Sequence, residues 1–311
     1  MRLSARDAQS LEAARLYYQR GLAQADVARQ LSISRPTVSK LLQHAKDRGF
    51  VSIEIRDPRA VSSDVGRELC LRFGLTQARV VAAADTDDEL LHELGGMGAQ
   101  VLEENVADGD LVGITWGRTM RAVAQALTPQ PRSGVNMVQL KGGSGLTSPL
   151  AGHHETVRLL CAAFGAYPHT LPLPVLFDSP EVKRVVEQDR HIRYVLDLGR
   201  SARTALFTVG SVAEDSPVLV RDYLTARERE AVARSAVGDL CSHFIDTHGA
   251  PAVPALDERT VSLPLDELRQ KEIRICVAGG TAKVPVLRAA LQAGYVSHLV
   301  TDERTARAVL G

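Results

Sequence analysis

The stretch that decides the N-terminal fold is QADVARQLSISRPTVSKLLQ, residues 24–43. Its apolar residues recur at spacings of three and four, which places them on one face of a helix. Ser34 is a favourable N-cap, because its hydroxyl can accept from backbone N–H groups of the next turn, and Pro36 suits the first turn of a helix. The stretch therefore predicts two short helices joined by a tight turn, the second beginning near Arg35.

This second helix is interpreted as a DNA recognition helix. Once its apolar face is turned inward, the side chains left outside are donors and acceptors that can reach base edges and phosphates. The residues predicted to contact DNA are Gln24, Ser34, Arg35, Pro36, Thr37, Ser39, Lys40 and Gln43.

The flanking sequence and the charge fit a winged helix-turn-helix. Residues 11–20 predict a preceding helix, and the alternation in residues 50–56 predicts a short strand, as in a wing. Residues 1–56 carry ten basic and five acidic side chains, a net charge of +5, whereas the whole chain is neutral. This asymmetry localises a polyanion contact to the N-terminus. The alternative is a small helical bundle whose basic face is only solvated.

Length and composition predict a two-domain globular protein. The chain has 311 residues, of which 45% are hydrophobic and 24% charged. We expect a DNA-binding domain over residues 1–56, a linker over 57–62 and a larger domain over 63–311. Without a long apolar run or a signal-peptide core, the chain is predicted to be cytoplasmic, with no membrane contact. The four cysteines lie far apart without CxxC spacing, so buried reduced thiols are expected, and no metal site.

The larger domain is predicted to be a Rossmann-like α/β domain. Apolar runs at residues 78–83, 111–114, 135–140, 205–209 and 273–278 alternate with amphipathic stretches, as in βα units. Glycines follow most of these runs. Because ligands of doubly wound sheets bind beyond the carboxyl ends of the strands, we expect a ligand site there.

Two glycine-containing turns are candidate phosphate sites. GITWGRT, residues 113–119, and AGGTAK, residues 278–283, each follow a predicted strand and open a helix. Backbone amides at such a helix start can hold a phosphate, together with the hydroxyls of Thr115 and Thr119 and the ammonium of Lys283. Neither turn matches GxxxxGK[ST] or GxGxxG, so a nucleotide is not expected. The alternative is two turns without a ligand and a lysine with a solvated tip.

Lys141 ends an apolar strand and precedes Gly142. A lysine in that position is partly desolvated, which favours the uncharged amine that attacks an aldehyde or ketone to form a Schiff base. Equally, the lysine can cap the site or pair with a carboxylate. Candidate polar neighbours are Gln139, Asp178 and Asp246.

Several long motifs, in order along the chain, resemble the SorC family of bacterial transcriptional regulators. The likeness runs nearly end to end, and within the family it is nearest to regulators of deoxyribonucleoside catabolism. The motifs are EAARLYYQ, QLSISRPTVSKLLQ, GITWGRTM, VQLKGG, LPLPVLFDSPEVKRVVEQDRHI, LFTVGSV, GDLCSHFIDTHG and AGGTAKVPVLRAAL.

The resemblance implies a tetrameric regulator whose larger domain resembles sugar-phosphate isomerases and binds a phosphorylated sugar, with no further cofactor. In the deoxyribonucleoside branch the effector is deoxyribose 5-phosphate, held as a lysine imine at the position of Lys141. The chain departs from the family in one turn: AGGTAK, residues 278–283, stands where a serine-bearing turn is expected after Gly280. The effector-binding residues implied are Lys141, Gly113, Thr115, Gly117, Thr119, Gln139, Gly142, Asp178, Asp246, Gly279, Gly280 and Lys283.

The resulting hypothesis is a repressor that binds operator DNA and releases it when a sugar phosphate enters the larger domain. The alternative is a sugar-phosphate isomerase or lysine-dependent aldolase with an appended DNA-binding segment. Such an enzyme needs a positioned general base, and no carboxylate or histidine lies beside Lys141 in the sequence. We therefore expect no catalytic residues.

Overall fold

The chain folds into two units, Met1–Pro58 and Arg59–Gly311. The computed structural model describes residues 4–51, 64–143, 152–212 and 224–311. The predicted linker, residues 57–62, lies outside the described residues.

The first unit is helical. Helix α1 (Ala5–Ala14) runs into a π-helical turn (Arg15–Gln19), and α2 (Gln24–Gln30) and α3 (Arg35–Asp47) follow. The spacing of apolar residues in these elements directs them to a common core, which consists of Ala13, Ala14, Leu16, Val27, Ala28, Val38, Leu41, Leu42 and Ala45.

The chain folds back onto α3 where the helix ends. The backbone N–H groups of Phe50 and Val51 both donate to the carbonyl of Ala45, at 2.8 and 3.3 Å. The rest of the predicted wing, up to residue 56, lies outside the described residues and stays a prediction.

The second unit is built on a parallel sheet. Seven strands of the described residues form it: β1 (Gln77–Val81), β2 (Leu111–Ile114), β3 (Asn136–Gln139), β4 (Tyr167–His169), β5 (Thr204–Phe207), β9 (Ile273–Val277) and β10 (His298–Asp302). Their order in the sheet is β1-β10-β9-β5-β2-β3-β4, and every neighbouring pair is parallel. A small antiparallel sheet contains β6 (Val209–Gly210), β7 (Gly238–Leu240) and β8 (His243–Ile245).

Helices connect and cover the parallel strands. They are α4 (Asp64–Phe73), α5 (Asp87–Asn105), α6 (Arg118–Ala126), α7 (Gly152–Phe164), α8 (Pro180–Glu187), α9 (Arg190–Ser201), α10 (Ala226–Ser235), α11 (Pro254–Asp257), α12 (Leu265–Arg269), α13 (Val284–Gln292) and α14 (Glu303–Leu310). Successive residues of a strand face opposite sides, so Leu206 enters one apolar cluster while Ala205 and Phe207 enter the other. Both faces are therefore buried, as parallel sheets require.

This architecture confirms the predicted α/β class. All five predicted strands exist within one or two residues of the expected bounds. Two strands of the sheet were missed, because β4 has three residues including Pro168, and β10 includes His298, Thr301 and Asp302. Neither carries a long apolar run, so their strand conformation depends on pairing with neighbours.

The strand order contains one topological switch point. After β2 the chain proceeds to β3 and β4 on one side, then crosses to β5 on the other side of β2. The connections therefore diverge at the carboxyl ends of β2 and β5, which leaves a crevice at that edge of the sheet. The segments beyond Ile114 and Phe207 border this crevice.

Candidate functional site

Helix α3 begins with a capped, polar turn. The hydroxyl of Ser34 accepts from the backbone N–H of Thr37 at 3.3 Å and lies 2.7 Å from the Thr37 hydroxyl. These two predicted DNA contacts therefore also hold the start of the helix, as the sequence indicates for Ser34.

The other predicted DNA contacts of α3 form an open surface. Arg35, Ser39 and Gln43 follow at spacings of four and make one stripe, and Gln43 donates to Asp47 at 2.8 Å. Gln24, at the start of α2, is half-buried. The exposed residues are Ser34, Arg35, Pro36, Thr37, Ser39, Lys40 and Gln43. Such a stripe presents the hydrogen-bonding groups that a major groove requires.

In the second unit, Lys141 lies on the face of an indole ring. Its Nζ is 4.1 Å from the ring centroid of Trp116, and the two residues are only 8% and 6% exposed. Trp116 Nε1 donates to the carbonyl of Gly142 at 3.0 Å, which fixes the orientation of the ring. Because Trp116 follows β2 and Lys141 follows β3, the amine is held beside the switch point.

The backbone around Lys141 is rigidly framed. Lys141 forms an antiparallel bridge with Ser262, and the Gly142 N–H donates to the carbonyl of Val261 at 2.9 Å. A Cβ at Gly142 would lie 2.5 Å from the carbonyl oxygen of Pro174. Glycine at position 142 is therefore explained by the close approach of two backbone segments.

The first glycine turn leads into α6. Gly117, the residue before the helix, has φ +148°, a conformation suited to glycine. The buried hydroxyl of Thr119 lies 3.4 Å from Lys283 Nζ, so the two glycine turns meet at this point. The Thr115 hydroxyl instead donates to the carbonyl of Leu206 at 3.2 Å, between β2 and β5.

The second glycine turn is occupied by a carboxylate of the protein. The Gly280 N–H donates to Asp302 Oδ2 at 3.0 Å and to the Thr305 hydroxyl at 2.8 Å, and a Cβ at Gly279 would lie 2.6 Å from the same oxygen. The Gly280 amide is therefore satisfied within the chain, and this buried carboxylate disfavours an anion there. Phosphate binding by the Gly279 and Gly280 backbone stays a prediction. Lys283 remains, and burial lowers the pKa of its amine.

Two further candidates serve packing. A Cβ at Gly113 would lie 2.6 Å from the side chain of Leu140, so this glycine admits a core residue rather than a ligand. The Gln139 side-chain oxygen accepts from the backbone N–H of Leu171 at 2.7 Å, which anchors the segment after β4. Packing accounts for the glycine at position 113, and the hydrogen bond to Leu171 accounts for the glutamine at position 139, without a ligand contact in either case.

The two acidic candidates, Asp178 and Asp246, each make contacts with the backbone or side chains of other residues. Asp246 Oδ1 accepts from the backbone N–H groups of His248 and Ala250, at 2.8 and 3.0 Å, and closes the turn after β8. Asp246 is thus a turn residue in this structure, and its predicted contact with the sugar stays a prediction. Asp178 is exposed, and its backbone carbonyl accepts from Arg259 at 3.2 Å.

A further buried carboxylate, Asp239, was not predicted from the motifs, and its charge acts on Lys283. It lies buried on β7, and its Oδ2 accepts from the Ser242 N–H at 3.0 Å. Its charge acts on both the Cys241 thiol and the Lys283 ammonium, while the charge of Lys141 also acts on Cys241. Asp239 stands in the same quoted motif as Asp246, and motif position alone does not distinguish the two.

The cysteines are free thiols. Burial raises the pKa of Cys241 and Cys276 to about 12 and that of Cys161 to about 11, so none of these three is an activated nucleophile. Cys70 is half-buried rather than buried.

Within the described ranges, no cluster of His, Cys, Asp or Glu is arranged to hold a metal ion. No helix among the described residues is long and apolar enough to cross a membrane.

A helix-turn-helix unit and a parallel α/β sheet with a buried lysine at its switch point, carried by one chain, define the class of DNA-binding regulators that respond to a small ligand. Residues 58–311 match the family profile described as "Putative sugar-binding domain".

Comparison with known proteins specifies the family. The chain is 43% identical over 302 residues to the deoxyribonucleoside regulator of Bacillus subtilis (strain 168), covering 97% of this chain and 96% of that one. It is 31% identical over 302 residues to the sorbitol operon regulator of Klebsiella pneumoniae, covering 96% of each. The crystal structure of full-length SorC from Klebsiella pneumoniae matches with a TM-score of 0.80 at 28% identity, covering 99% of this chain and 100% of that one.

The chain belongs to the SorC family of sugar-binding transcriptional regulators, as its motifs predicted. The relatives that match it over nearly their whole length are named as regulators. This confirms the prediction that the chain is a regulator and not an enzyme.

Proposed function

We propose that this chain represses genes of deoxyribonucleoside or pentose catabolism, and that it leaves its operator when deoxyribose 5-phosphate binds covalently to Lys141. The name of the Bacillus subtilis relative supports the class of regulated genes. The observation that carries the effector proposal is the buried amine of Lys141 on the Trp116 ring, beside the switch point.

The chemistry suits an open-chain aldehyde. Lys141 Nζ attacks the aldehyde carbon, and the resulting carbinolamine loses water to form an imine. Burial beside an indole face limits the water that hydrolyses an imine. Asp239, whose charge acts on the same thiol as that of Lys141, is a candidate acceptor for sugar hydroxyls.

The phosphate end of the sugar is assigned to the junction of the two glycine turns. Thr119 lies in the first turn of α6, where backbone N–H groups and the helix dipole favour an anion. Lys283 Nζ is adjacent at 3.4 Å from the Thr119 hydroxyl. A dianion there would restore favourable surroundings to an ammonium whose pKa is lowered by burial.

The DNA end is assigned to the exposed stripe of α3. Release of DNA requires that the sugar phosphate bind one quaternary arrangement better than another, because equal affinity shifts nothing. In a tetramer, which we also propose, a change of subunit geometry would alter the spacing of the reading helices against the operator half-sites.

Borohydride trapping tests the proposal. Protein is incubated with deoxyribose 5-phosphate, reduced with borohydride and analysed by intact-mass and peptide mass spectrometry. We expect one adduct per chain on Lys141, none in Lys141→Arg, and an unchanged yield in Lys183→Arg, a half-buried lysine of α8 that pairs with Glu187. An adduct that persists in Lys141→Arg, or no adduct in the wild type, contradicts the imine.

The same incubation without borohydride examines the enzyme alternative. An isomerase or aldolase would turn over the sugar phosphate to an isomer, or to acetaldehyde and a triose phosphate. We expect a stoichiometric adduct and no multiple turnover. Repeated turnover would contradict a purely regulatory role.

A further inference from the structure

The first unit contains a buried carboxylate, which belongs neither to the apolar core of the unit nor to the exposed stripe of α3. Asp7, in the first turn of α1, is 7% exposed. Its Oδ1 lies 2.9 Å from His44 Nε2 and 3.2 Å from Arg48 Nε. His44 lies in α3 and Arg48 caps its end, one turn further along. A single carboxylate thus ties the start of α1 to the last turns of the predicted recognition helix.

Asp7 is itself held in place. Ser4 and Asp7 form a capping box, in which the Ser4 N–H donates to Asp7 Oδ2 at 3.3 Å and the Asp7 N–H donates to the Ser4 hydroxyl at 3.1 Å. The hydrogen bond with His44 lowers the pKa of the Asp7 carboxyl to about 2, so the carboxylate is charged at neutral pH. Its two oxygens therefore act as fixed acceptors.

The rest of the α1–α3 contact is not directional. It consists of apolar side chains, including Ala13 and Ala14 of α1 and Leu41, Leu42 and Ala45 of α3. Such contacts tolerate a small roll of one helix against the other, whereas hydrogen bonds depend on angle. A helix with its side chains is about 10–12 Å across, so a roll of about 10° displaces a side-chain tip by about 1 Å. That displacement is enough to spoil a bidentate base contact.

We propose that Asp7 is a positioning residue for operator recognition: through His44 and Arg48 it fixes the roll of α3, and hence the direction of the stripe formed by Arg35, Ser39 and Gln43. This inference rests on the proposed DNA-binding function. Asp7 does not touch DNA in this scheme. It acts on sequence discrimination, which depends on geometry, rather than on the general attraction of a basic unit for DNA.

The test compares specific with general DNA affinity in the full-length protein. The specific probe is the duplex that the wild type enriches from a random-sequence library, and the reference is a scrambled duplex of equal length. Fluorescence anisotropy gives the affinity ratio over a series of salt concentrations. The variants are Asp7→Asn and a matched control, Glu12→Gln, which removes the same charge from an exposed position of α1.

We expect Asp7→Asn to lower the affinity ratio at least tenfold without lowering the salt dependence of scrambled-duplex binding, and Glu12→Gln to change the ratio less than twofold. Adding Asp7→Asn to a His44→Gln, Arg48→Gln protein should cause no further loss. A salt slope that falls by about one phosphate contact in Arg48→Gln would mean that Arg48 binds DNA directly, which would contradict its role as a link from Asp7 to α3.

Far-UV circular dichroism establishes that each variant is folded. If Asp7→Asn is folded and keeps the wild-type ratio, the inference is wrong. If Asp7→Asn loses helix content, Arg48→Gln is the variant that tests the inference. An unchanged affinity ratio in Arg48→Gln would then show that the inference is wrong. A wild type that enriches no sequence refutes the proposed DNA-binding function instead, so the two failures are distinguishable.

Discussion

At the scale of residues, the two lysines of the crevice differ in their surroundings. Lys141 lies on the face of Trp116 and is only 8% exposed, and burial favours the uncharged amine that can form a covalent bond. Lys283 lies beside the Thr119 hydroxyl near the start of a helix, which suits a point charge for an anion. The distinction predicts that they recognise opposite ends of one ligand.

Lys283→Met should therefore weaken phosphate recognition selectively. A charge-assisted hydrogen bond is worth roughly 1.5–3 kcal/mol, so we expect about tenfold to hundredfold more deoxyribose 5-phosphate for half-maximal trapping on Lys141. Trapping of unphosphorylated deoxyribose should change little. The control is Lys183→Met, a lysine paired with Glu187 on α8. Equal losses for both sugars would show that Lys283 supports the fold of the crevice instead.

The two aspartates of one motif show that residue type alone does not determine which carboxylate acts on a lysine of the crevice. Asp239 and Asp246 lie seven positions apart in one motif. In the structure Asp246 accepts hydrogen bonds within its own turn, whereas the charge of Asp239 acts on the Lys283 ammonium and the Cys241 thiol. That choice depends on the β7–β8 hairpin, whose packing is not encoded in the seven-residue spacing.

At the scale of elements, α3 provides the clearest test of the DNA interface. Arg35→Ala should lower the affinity for the enriched duplex by roughly 1–3 kcal/mol if Arg35 contacts a base bidentately, while lowering scrambled-duplex affinity much less. Arg29→Ala on α2 removes the same charge from another exposed position and serves as the control. If both variants lose the same affinity for both duplexes, Arg35 contributes charge only.

The contact between α1 and α3 should become less stable as the pH is lowered. The folded-state pKa of Asp7 is about 2, below its ordinary value of 3.8, so its contribution to stability is complete above that ordinary value and is lost as pH falls toward 2. Hydrogen exchange of α1 and α3, corrected for intrinsic rates, should show wild-type protection approaching that of Asp7→Asn between pH 5 and pH 3. A constant difference across this range would contradict the role of the charge.

The two glycine turns show what a strand–glycine–helix pattern predicts: the position of a turn, but not the groups that its amides bind. Both were predicted from a strand followed by glycines and a helix start, and both occur at the carboxyl edge of the sheet. Only the fold reveals that Asp302, from the unpredicted strand β10, accepts from the Gly280 N–H. A turn can look suited to phosphate in sequence while a residue remote along the chain already satisfies its amides.

At the scale of the whole molecule, binding of the sugar should be separable from binding of DNA. Lys141→Ala should bind the enriched duplex like the wild type, because its substitution is in the second unit, and it should not be released by deoxyribose 5-phosphate. Anisotropy titrations with and without the sugar phosphate measure both properties. A Lys141→Ala protein that is fully released would contradict the covalent mechanism while leaving phosphate recognition intact.

The sequence by itself determined the helix-turn-helix, the α/β class, the family and the place of Lys141 after a strand, because caps, periodicities and contiguous motifs are local properties of a chain. It did not determine the β10 strand, the pairing of Trp116 with Lys141, the position of Asp239 or the tie from Asp7 to His44 and Arg48. Those features join residues distant in sequence, and their geometry follows from burial and directional hydrogen bonding within the folded units. Only the tertiary structure decided which of several similar polar residues meet.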